Sequence, residues 1–335
     1  MSVSTPVSAR ASRARGTAAR LAARPQAWIG GGLLLLLAAG ALAADGVSAL
    51  LGTDPQAVDL LNRLQPPSPT HPLGTDELGR DVLTLMLFAG RVSLPVGLGG
   101  ALLAALLGTA VGVLAGWKGG RIDAVLMRTT DAVLALPLLP LLILLAAVDL
   151  SKIGLGGLGP VESALRIVVI VALFGWPGTA RIARAATLSV ERQPFVLAAR
   201  ALGVPDRRIL LRHVLPNIAG PVIVATTLAV GHVILAESVL SFLGLGIQPP
   251  LASWGTMLSR AQELMFDRPD LALWPGLCIF AAVLGANLFG DALADALDPR
   301  SGTDLQTEGP GMRPGPAFPL VRRKRRQRRA KTSTA

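Results

Sequence analysis

The chain alternates long apolar runs with short polar stretches, and the lengths of the runs indicate membrane-crossing helices. A helix needs about 20 apolar residues to cross a bilayer. Six runs meet or approach this length: Ala27–Ala44, Val92–Gly116, Thr130–Val148, Arg166–Gly178 with its flanks, Ala219–Val239 and Leu271–Leu293. Prolines interrupt the third and fourth runs, which membrane helices tolerate where neighbouring helices satisfy the freed carbonyl groups. The pattern predicts an all-α membrane protein with six transmembrane helices.

Glycine is frequent in the second run and favours close contact between helices. Small residues let helix backbones approach each other in a membrane. The glycines in question are Gly97, Gly99, Gly100, Gly108, Gly112 and Gly116. We therefore expect the second helix to pack tightly against its neighbours.

Composition agrees with a membrane protein and gives no sign of enzyme chemistry. Hydrophobic residues make up 51% of the chain and charged residues 16%, a balance typical of polytopic membrane proteins. The single cysteine, Cys278, permits no disulfide within one chain, and the three histidines are far apart in sequence. The sequence therefore has neither metal-ligand spacing nor a nucleophile–base set, and it lacks a glycine-rich phosphate loop. We expect no catalysis and no cofactor or metal bound by this chain.

The basic residues predict how the helices are oriented. The net charge of +11 comes from arginine and lysine that cluster before the first run, after the second, after the fourth and at the carboxyl terminus. All four clusters lie on one side of a bilayer if both termini are cytoplasmic, as the positive-inside rule requires. We expect a multi-pass protein of a bacterial-type plasma membrane. Signal cleavage after Ala41–Ala43 is an alternative, but the run is long and five others follow, so a retained anchor is preferred.

These features predict five consecutive regions. They are a basic cytoplasmic tail (1–26), a first transmembrane helix (27–44), an extracytoplasmic loop (45–90), a five-helix transmembrane domain (91–298) with a cytoplasmic segment (195–216), and a disordered basic tail (299–335). The last tail attracts anionic lipid headgroups. Its basic run has no interleaved aromatic residues, so membrane lipid and not nucleic acid is the expected partner.

The segment Phe195–Pro216 is polar and arginine-rich, although it lies between two long apolar runs. Its first half places apolar side chains on one helical face: Phe195, Ala198, Ala199 and Leu202. Gly203 is suited to end this helix, and Pro205 with Asp206 is suited to begin another. The segment predicts two short helices joined by a bend, with an apolar knob that fits a partner's groove. An amphipathic helix resting on lipid is the alternative.

This segment resembles the cytoplasmic EAA signature of the permease subunits of binding-protein-dependent ABC importers. That signature is Glu-Ala-Ala, three residues, Gly, nine residues, an apolar residue, and then x-Leu-Pro. Its matching positions are Ala198, Ala199, Gly203, Leu215 and Pro216. Two positions depart from the signature, since Leu197 stands where the glutamate belongs and His213 where the apolar residue belongs.

Further motifs are similar to the dipeptide, oligopeptide and nickel branch of that family, and to the second of its two paired permeases. They are His71–Asp81, Gly90–Leu94, Asp131–Pro137, Leu235–Gly246, Gln248–Trp254 and Asp291–Arg300, together with HVLPN at His213–Asn217. The similarity extends over roughly residues 70–300, in order.

The resemblance implies the type I ABC importer permease fold and a set of partners. These partners are a second homologous permease, two ABC ATPase subunits that carry ATP and Mg²⁺, and an extracytoplasmic substrate-binding protein. It also implies that the ATPases act on the bent segment, through residues Ala198, Ala199, Gly203, Asp206, His213, Leu215 and Pro216. The expected function is import of peptides or similar small solutes.

Polar residues inside the apolar runs are candidates for the transport pathway. Glu237 either lines the pathway or forms a structural hydrogen bond with a neighbouring helix, because a carboxylate at membrane depth needs a partner. Ser238, Ser241 and Asn287 are further candidates. Arg128 and Asp131, three residues apart, are expected to pair with each other.

The predicted outer loop and the class of transporter each leave alternatives open. His71–Asp81 either contacts the binding protein or braces the helices, and bracing is preferred. Nickel or another small solute is an alternative substrate. A gradient-driven secondary transporter is a less favoured alternative, since paired ionisable groups and inverted repeats are not evident.

Overall fold

Residues 18–147 and 161–297 are described by a computed structural model, and within them the regular structure is helical. We number the α-helices in chain order: α1 Pro25–Leu51, α2 Val82–Lys118, α3 Gly120–Ala135, α4 Leu138–Ala146, α5 Val161–Glu191, α6 Pro194–Ala201, α7 Asp206–Ile209, α8 Leu215–Phe242, α9 Trp254–Ala261 and α10 Asp270–Leu297. A π-helical stretch, Leu210–Val214, joins α7 to α8 without a break. The predicted tail at 299–335, most of the tail at 1–26 and residue Val148 lie outside the described residues.

Five helical stretches of the described ranges are long and apolar enough to cross a membrane. They are α1, α2, α5, the continuous stretch Asp206–Phe242 and α10. Helices α3 and α4 are also long and apolar enough when they are taken together as one bent span, which gives up to six spans. The prediction of an all-α, multi-span membrane protein is thereby confirmed.

The third predicted span, Thr130–Val148, is wrong as a single helix. The chain bends by 84° between α3 and α4. Leu136 is extended, with φ −74° and ψ 138°, and Pro137 follows it. Proline disfavours a helical conformation in the preceding residue and has no N–H to donate. The helix therefore ends before Pro137 and does not continue through it.

Helix α2 defines the two ends of the molecule. It has 37 residues and is about 55 Å long at ~1.5 Å per residue. Asp81 caps its first turn by accepting a hydrogen bond from the Thr84 N–H at 2.7 Å, and Trp117 lies in its last turn. We call these the Asp81 end and the Trp117 end. Helix α5 runs parallel to α2, since the contacts of Gly99, Gly108 and Gly116 advance along both helices in the same order. The pairing of Arg24 with Asp295 joins the start of α1 to the end of α10 at the Trp117 end.

Glycines on α2 allow the close packing that the sequence predicts. A Cβ atom at Gly112 would lie 2.3 Å from the Ala180 carbonyl oxygen of α5, and one at Gly97 would lie 2.3 Å from Ile234 of α8. Gly99 is an exception, because a Cβ there would be 3.8 Å from Val168, an ordinary contact. Helix α2 is therefore held between α5 and α8 at distances that larger residues would not permit.

The loop before α2 forms a compact brace at the Asp81 end. The Asp76 carboxylate accepts hydrogen bonds from the N–H groups of Leu78 and Arg80, both at 2.9 Å, and pairs with the Arg80 guanidinium at 2.5 Å. Arg268, just before α10, donates to the Leu64 carbonyl at 2.6 Å. Its hydrogen bond with the Asp270 carboxylate raises the pKa of the Arg268 guanidinium. These contacts within the chain favour bracing as the role of this loop.

Candidate functional site

The segment Phe195–Pro216 folds as two short helices around a glycine turn. Gly203 has φ +75°, a left-handed conformation that glycine adopts without strain. The N–H of Gly203 donates to the Arg200 carbonyl at 3.0 Å, and the N–H of Val204 donates to the Ala199 carbonyl at 3.1 Å. Helix α7 then begins at Asp206, directly after Pro205. The predicted bend is confirmed.

One face of this segment is buried against the Trp117 end of the bundle. The buried side chains form one apolar cluster with Trp117: Val196, Ala199, Ile209, Val214 and Ile218. Ala199 therefore points inward, whereas Ala198 and Leu202 are exposed. The prediction that Phe195, Ala198, Ala199 and Leu202 share one face is wrong at Ala199, which is buried beside Val196 while the other three are exposed.

Outside this buried face, the segment carries large apolar side chains with no covering element among the described residues. Leu202 is 83% exposed, Leu197 51% and Phe195 43%. The Phe195 ring lies 6.1 Å from the His213 ring. We call Phe195, Leu197 and Leu202 the exposed knob. Large apolar side chains exposed on a polar segment are typical of an interaction surface.

The end of the segment leads directly into α8. Leu215 and Pro216 are its first residues, where proline costs no hydrogen bond. The Asn217 side-chain amide donates to the His213 carbonyl at 2.6 Å. A displacement of the segment is therefore connected to a long membrane helix through continuous helical backbone.

Trp117 holds the segment and was not among the residues that the sequence singled out. Its indole N–H donates to the Asp206 carboxylate at 3.1 Å. The Arg200 guanidinium lies over its ring, with Cζ 4.8 Å from the centroid, and also pairs with Glu191 at 3.0 Å. A tryptophan at a helix end beside a basic loop was the available signal, but that pattern also describes simple interfacial anchoring.

A second polar group surrounds Glu237 near the Asp81 end. Glu237 is fully buried, at 0% exposed. Its carboxylate accepts hydrogen bonds from the hydroxyl groups of Ser241 at 2.7 Å and Ser93 at 3.2 Å. Those hydroxyl groups in turn accept from the N–H groups of Ile247 and Trp254, at 3.1 and 3.2 Å. The network joins α2, α8, α9 and the loop between α8 and α9.

The four predicted pathway residues do not form one surface. Ser238 is 4% exposed and its hydroxyl lies 3.5 Å from the Glu237 carboxylate. Ser241 is nearly buried but contributes to a cavity of about 650 Å³ at the Asp81 end. Asn287 is partly buried on α10. The geometry favours the helix-to-helix hydrogen bond as the role of Glu237, and a pathway role of these residues stays a prediction.

The arginines on the wall of the cavity at the Asp81 end leave no surplus charge there. Three arginines contribute to it, and each already has a carboxylate partner: Arg80 with Asp76, Arg91 with Asp45 and Arg260 with Glu77. The wall therefore offers hydrogen bonds without selecting strongly for one sign of charge. Within residues 18–147 and 161–297, no three His, Cys, Asp or Glu side chains are grouped to hold a metal ion.

Comparison with known proteins decides the family. The family model described as "Binding-protein-dependent transport system inner membrane component" matches residues 108–302. This chain belongs to that family. The match includes the whole of the bent segment and the Glu237 network residues on α8. The family and the membrane-spanning helices together show a multi-pass inner-membrane protein.

Individual members of the family cover most of the chain. A putative peptide transport system permease protein of Brucella suis is 40% identical over 293 residues, which are 88% of this chain and 93% of the relative. The dipeptide transport system permease protein DppC of Alkalihalophilus pseudofirmus is 39% identical, over 71% of this chain and 75% of its own length. The nickel transport system permease protein NikC of Escherichia coli is 36% identical, over 81% and 94%. The relatives are similar in sequence to most of this chain and differ in the substrates for which they are named.

Proposed function

We propose that this chain is a permease subunit of an ATP-driven importer and forms half of its translocation pathway. The exposed knob on the bent segment Phe195–Pro216 carries this proposal. A membrane protein that works alone has no use for three large apolar side chains held away from its membrane helices. A protein moved by a soluble partner needs such a surface, and the family is one of binding-protein-dependent transport components.

The proposed topology places the Trp117 end in the cytoplasm. The bent segment lies at this end, with Arg207, Arg208 and Arg212 in or beside it. Arg24 and Lys118 are also at this end, at the start of α1 and the end of α2. The positive-inside rule therefore orients every basic loop in the same direction. The Asp81 end, with its cavity, then faces the extracytoplasmic binding protein.

The proposed mechanism is conformational gating, without chemistry in this chain. Two ATPase subunits bind ATP and Mg²⁺, and each contacts one bent segment, one on this chain and one on a second, homologous permease. Closure of the ATPase pair displaces the segments, and the helices rock between states open to either side of the membrane. Continuous backbone from Asp206 to Phe242 supports this transmission.

Peptides are the proposed substrates, and nickel or another small solute is the second candidate. Relatives named for peptide and dipeptide transport are 39–40% identical, and the relative named for nickel transport is 36% identical. The cavity wall has balanced charges and several hydrogen-bonding groups, which suits a zwitterionic peptide backbone. A dedicated nickel site would need grouped ligands, and selection of a metal by the delivering protein would remove that need.

Copurification tests the proposal. The chain is purified from its native membrane in mild detergent, and the proteins that accompany it are identified. We expect a second permease and two ATPase subunits. Repeated recovery of this chain alone would contradict the proposal and favour a gradient-driven transporter.

A matched pair of variants assigns the ATPase contact to the exposed knob. Leu202→Glu should reduce ATPase recovery at least about tenfold while the second permease remains, because an unpaired charge in a desolvated contact is costly. The control is Leu61→Glu, since Leu61 is 92% exposed and Leu202 83% exposed but Leu61 lies at the Asp81 end. Equal ATPase recovery in both variants would exclude the knob as the contact.

A further inference from the structure

Trp117 uses two different features of its indole ring to hold the bent segment. The side chain is nearly buried, at 7% exposed. The ring N–H donates to the Asp206 carboxylate at 3.1 Å. The ring face lies under the Arg200 guanidinium, whose Cζ is 4.8 Å from the centroid. The face of an aromatic ring attracts a cation, whereas its N–H attracts an anion.

The two partners of Trp117 lie on opposite sides of the Gly203 turn. Arg200 belongs to α6, which has 8 residues, and Asp206 begins α7, which has 4. Helices this short do not hold their conformation alone. A Cβ atom at Gly203 would meet nothing within 4 Å, so packing does not fix the turn. The angle between the two halves therefore depends on contacts outside the segment, and Trp117 contacts both halves.

The same contacts attach the segment to the membrane helices at a place where the EAA signature is incomplete. Leu197 occupies the glutamate position, and because leucine is uncharged it supplies no charge there. Its side chain is 51% exposed. Glu191, in the last turn of α5, instead pairs with Arg200 at 3.0 Å. Arg200 thereby lies between the ends of α5 and α2.

Helix α2 connects this attachment to the Glu237 network. Its helical backbone continues from Trp117 back to Val82, with Pro95 in its interior. Near its other end, Ser93 donates to Glu237 and accepts from the Trp254 N–H, both at 3.2 Å. The glycines of α2 keep it in close contact with α5 and α8 along the way. A displacement applied at Trp117 therefore acts on a continuous helix that is hydrogen-bonded to the far end of the bundle.

We propose that Trp117 is the positioning residue that clamps both halves of the bent segment to α2 and transmits their displacement to the Asp81 end. This proposal rests on the proposed importer function. Without the Trp117 contacts, a displacement of the segment would change the angle at the Gly203 turn and would not reach α2. With both halves held on one indole ring, the shift moves α2 itself. Contiguity alone does not demonstrate coupling, so the test measures the response at the far end.

The test uses the whole copurified complex and needs no knowledge of the substrate. The only cysteine of this chain, Cys278, is replaced by serine, and Val92→Cys places a reporter on α2 in the cavity at the Asp81 end. The labelling rate of this reporter by a maleimide is compared with and without ATP, Mg²⁺ and vanadate. ATP hydrolysis by the same complex is measured in parallel. The ratio of the two labelling rates is the response.

If Trp117 is the clamp, its substitution should reduce the ratio of the two labelling rates while ATP hydrolysis continues. Relative to the parent, the response should fall about tenfold in Trp117→Leu, which removes both contacts, and about threefold in Trp117→Phe, which keeps the ring face for Arg200. The control Trp28→Leu changes a tryptophan that is 69% exposed on α1 and should leave the response unchanged. A merely structural role would lower assembly and hydrolysis together, without this graded loss.

Each remaining outcome decides the question. A normal response in Trp117→Leu would overturn the clamp and leave the proposed function intact. A parent complex without any response to ATP would overturn the proposed function and the clamp with it. If Trp117→Leu fails to assemble, Trp117→Phe and Arg200→Gln carry the test, because the first keeps an aromatic ring in the apolar cluster and the second keeps the indole itself. A normal response in both of these would also overturn the clamp.

Discussion

At the scale of single residues, Glu237 shows how a membrane helix accommodates a carboxylate. Ser241 and Ser93 turn their hydroxyl groups toward it, at 2.7 and 3.2 Å. Each hydroxyl also accepts a backbone N–H from another segment. The two hydroxyl groups therefore link Glu237 to backbone N–H groups, and through them to the α8–α9 loop and α9. Glu237 thus joins α2, the α8–α9 loop and α9 through one hydrogen-bond network.

Glu237→Gln should destabilise the protein more than it impairs transport. The new amide N–H₂ group opposes hydroxyl groups that donate toward it, and one buried donor is left unsatisfied at a cost of about 1–3 kcal/mol. We expect a lower midpoint of thermal unfolding for the purified complex, with unchanged transport per assembled complex. Ser238→Ala is the matched control, because its hydroxyl is 3.5 Å away and joins no other segment. Selective loss of cationic peptide transport at unchanged stability would instead show that Glu237 lines the pathway.

Sequence reasoning identified Glu237 but not its partners, for a physical reason. The serine on α2 is 144 residues away, and the Trp254 N–H that it accepts is 161 residues from it. No local pattern contains such separations. The predicted pair Arg128–Asp131 is wrong for the same reason, since Asp131 pairs at 2.5 Å with Arg181 of α5. The i,i+3 rule describes an isolated helix surface, and here a neighbouring helix offers a better placed guanidinium.

At the scale of elements, local signals located the breaks in the chain but not the faces of its helices. Gly203 and Pro205 correctly predict the bend, because their backbone preferences act within a few residues. The buried face of α6 follows from Trp117, which lies on another helix, and sequence spacing alone misplaced it. Pro137 is compatible with two outcomes from sequence alone. Proline favours a break in a helix, but membrane helices also tolerate interior prolines. Contacts between helices decide such cases.

Gly203→Pro should disconnect the bent segment from transport while leaving the membrane helices intact. Proline has φ near −65° and cannot adopt the +75° of Gly203, and it also loses the N–H that donates to Arg200. We expect ATP hydrolysis without peptide uptake, measured with labelled di- and oligopeptides in whole cells, and normal amounts of the protein in the membrane.

A glycine of similar conformation at the other end provides the control for this substitution. Gly52 follows α1 with φ +65°, and a Cβ there would also meet nothing within 4 Å. Gly52→Pro therefore imposes the same kind of backbone change at the Asp81 end and should leave uptake largely unchanged. Normal uptake in Gly203→Pro would remove the bent segment from the coupling mechanism. Equal loss in both variants would indicate a general folding defect.

At the scale of the whole molecule, the positions of the basic residues and the directions of the helices indicate the same orientation of the protein in the membrane. Helices α2, α5 and α10 run from the Asp81 end to the Trp117 end, whereas α1 and α8 run in the opposite direction. These directions bring the bent segment, the start of α1 and the end of α10 to the Trp117 end. Hydrophobic run lengths predicted the number of spans well, because each helix must satisfy its backbone internally in lipid.

The orientation itself is tested by two single-cysteine variants in the background Cys278→Ser. Leu61→Cys reports on the Asp81 end and Leu202→Cys on the Trp117 end, and both parent side chains are highly exposed, at 92% and 83%. Because the positive-inside rule places the basic loops in the cytoplasm, a membrane-impermeant maleimide should label Leu61→Cys in intact cells. It should label Leu202→Cys only after the membrane is opened, or more weakly if ATPase subunits cover the site. The reverse pattern would place the bent segment outside the cell, where no ATPase could reach it, and would exclude the proposed importer mechanism.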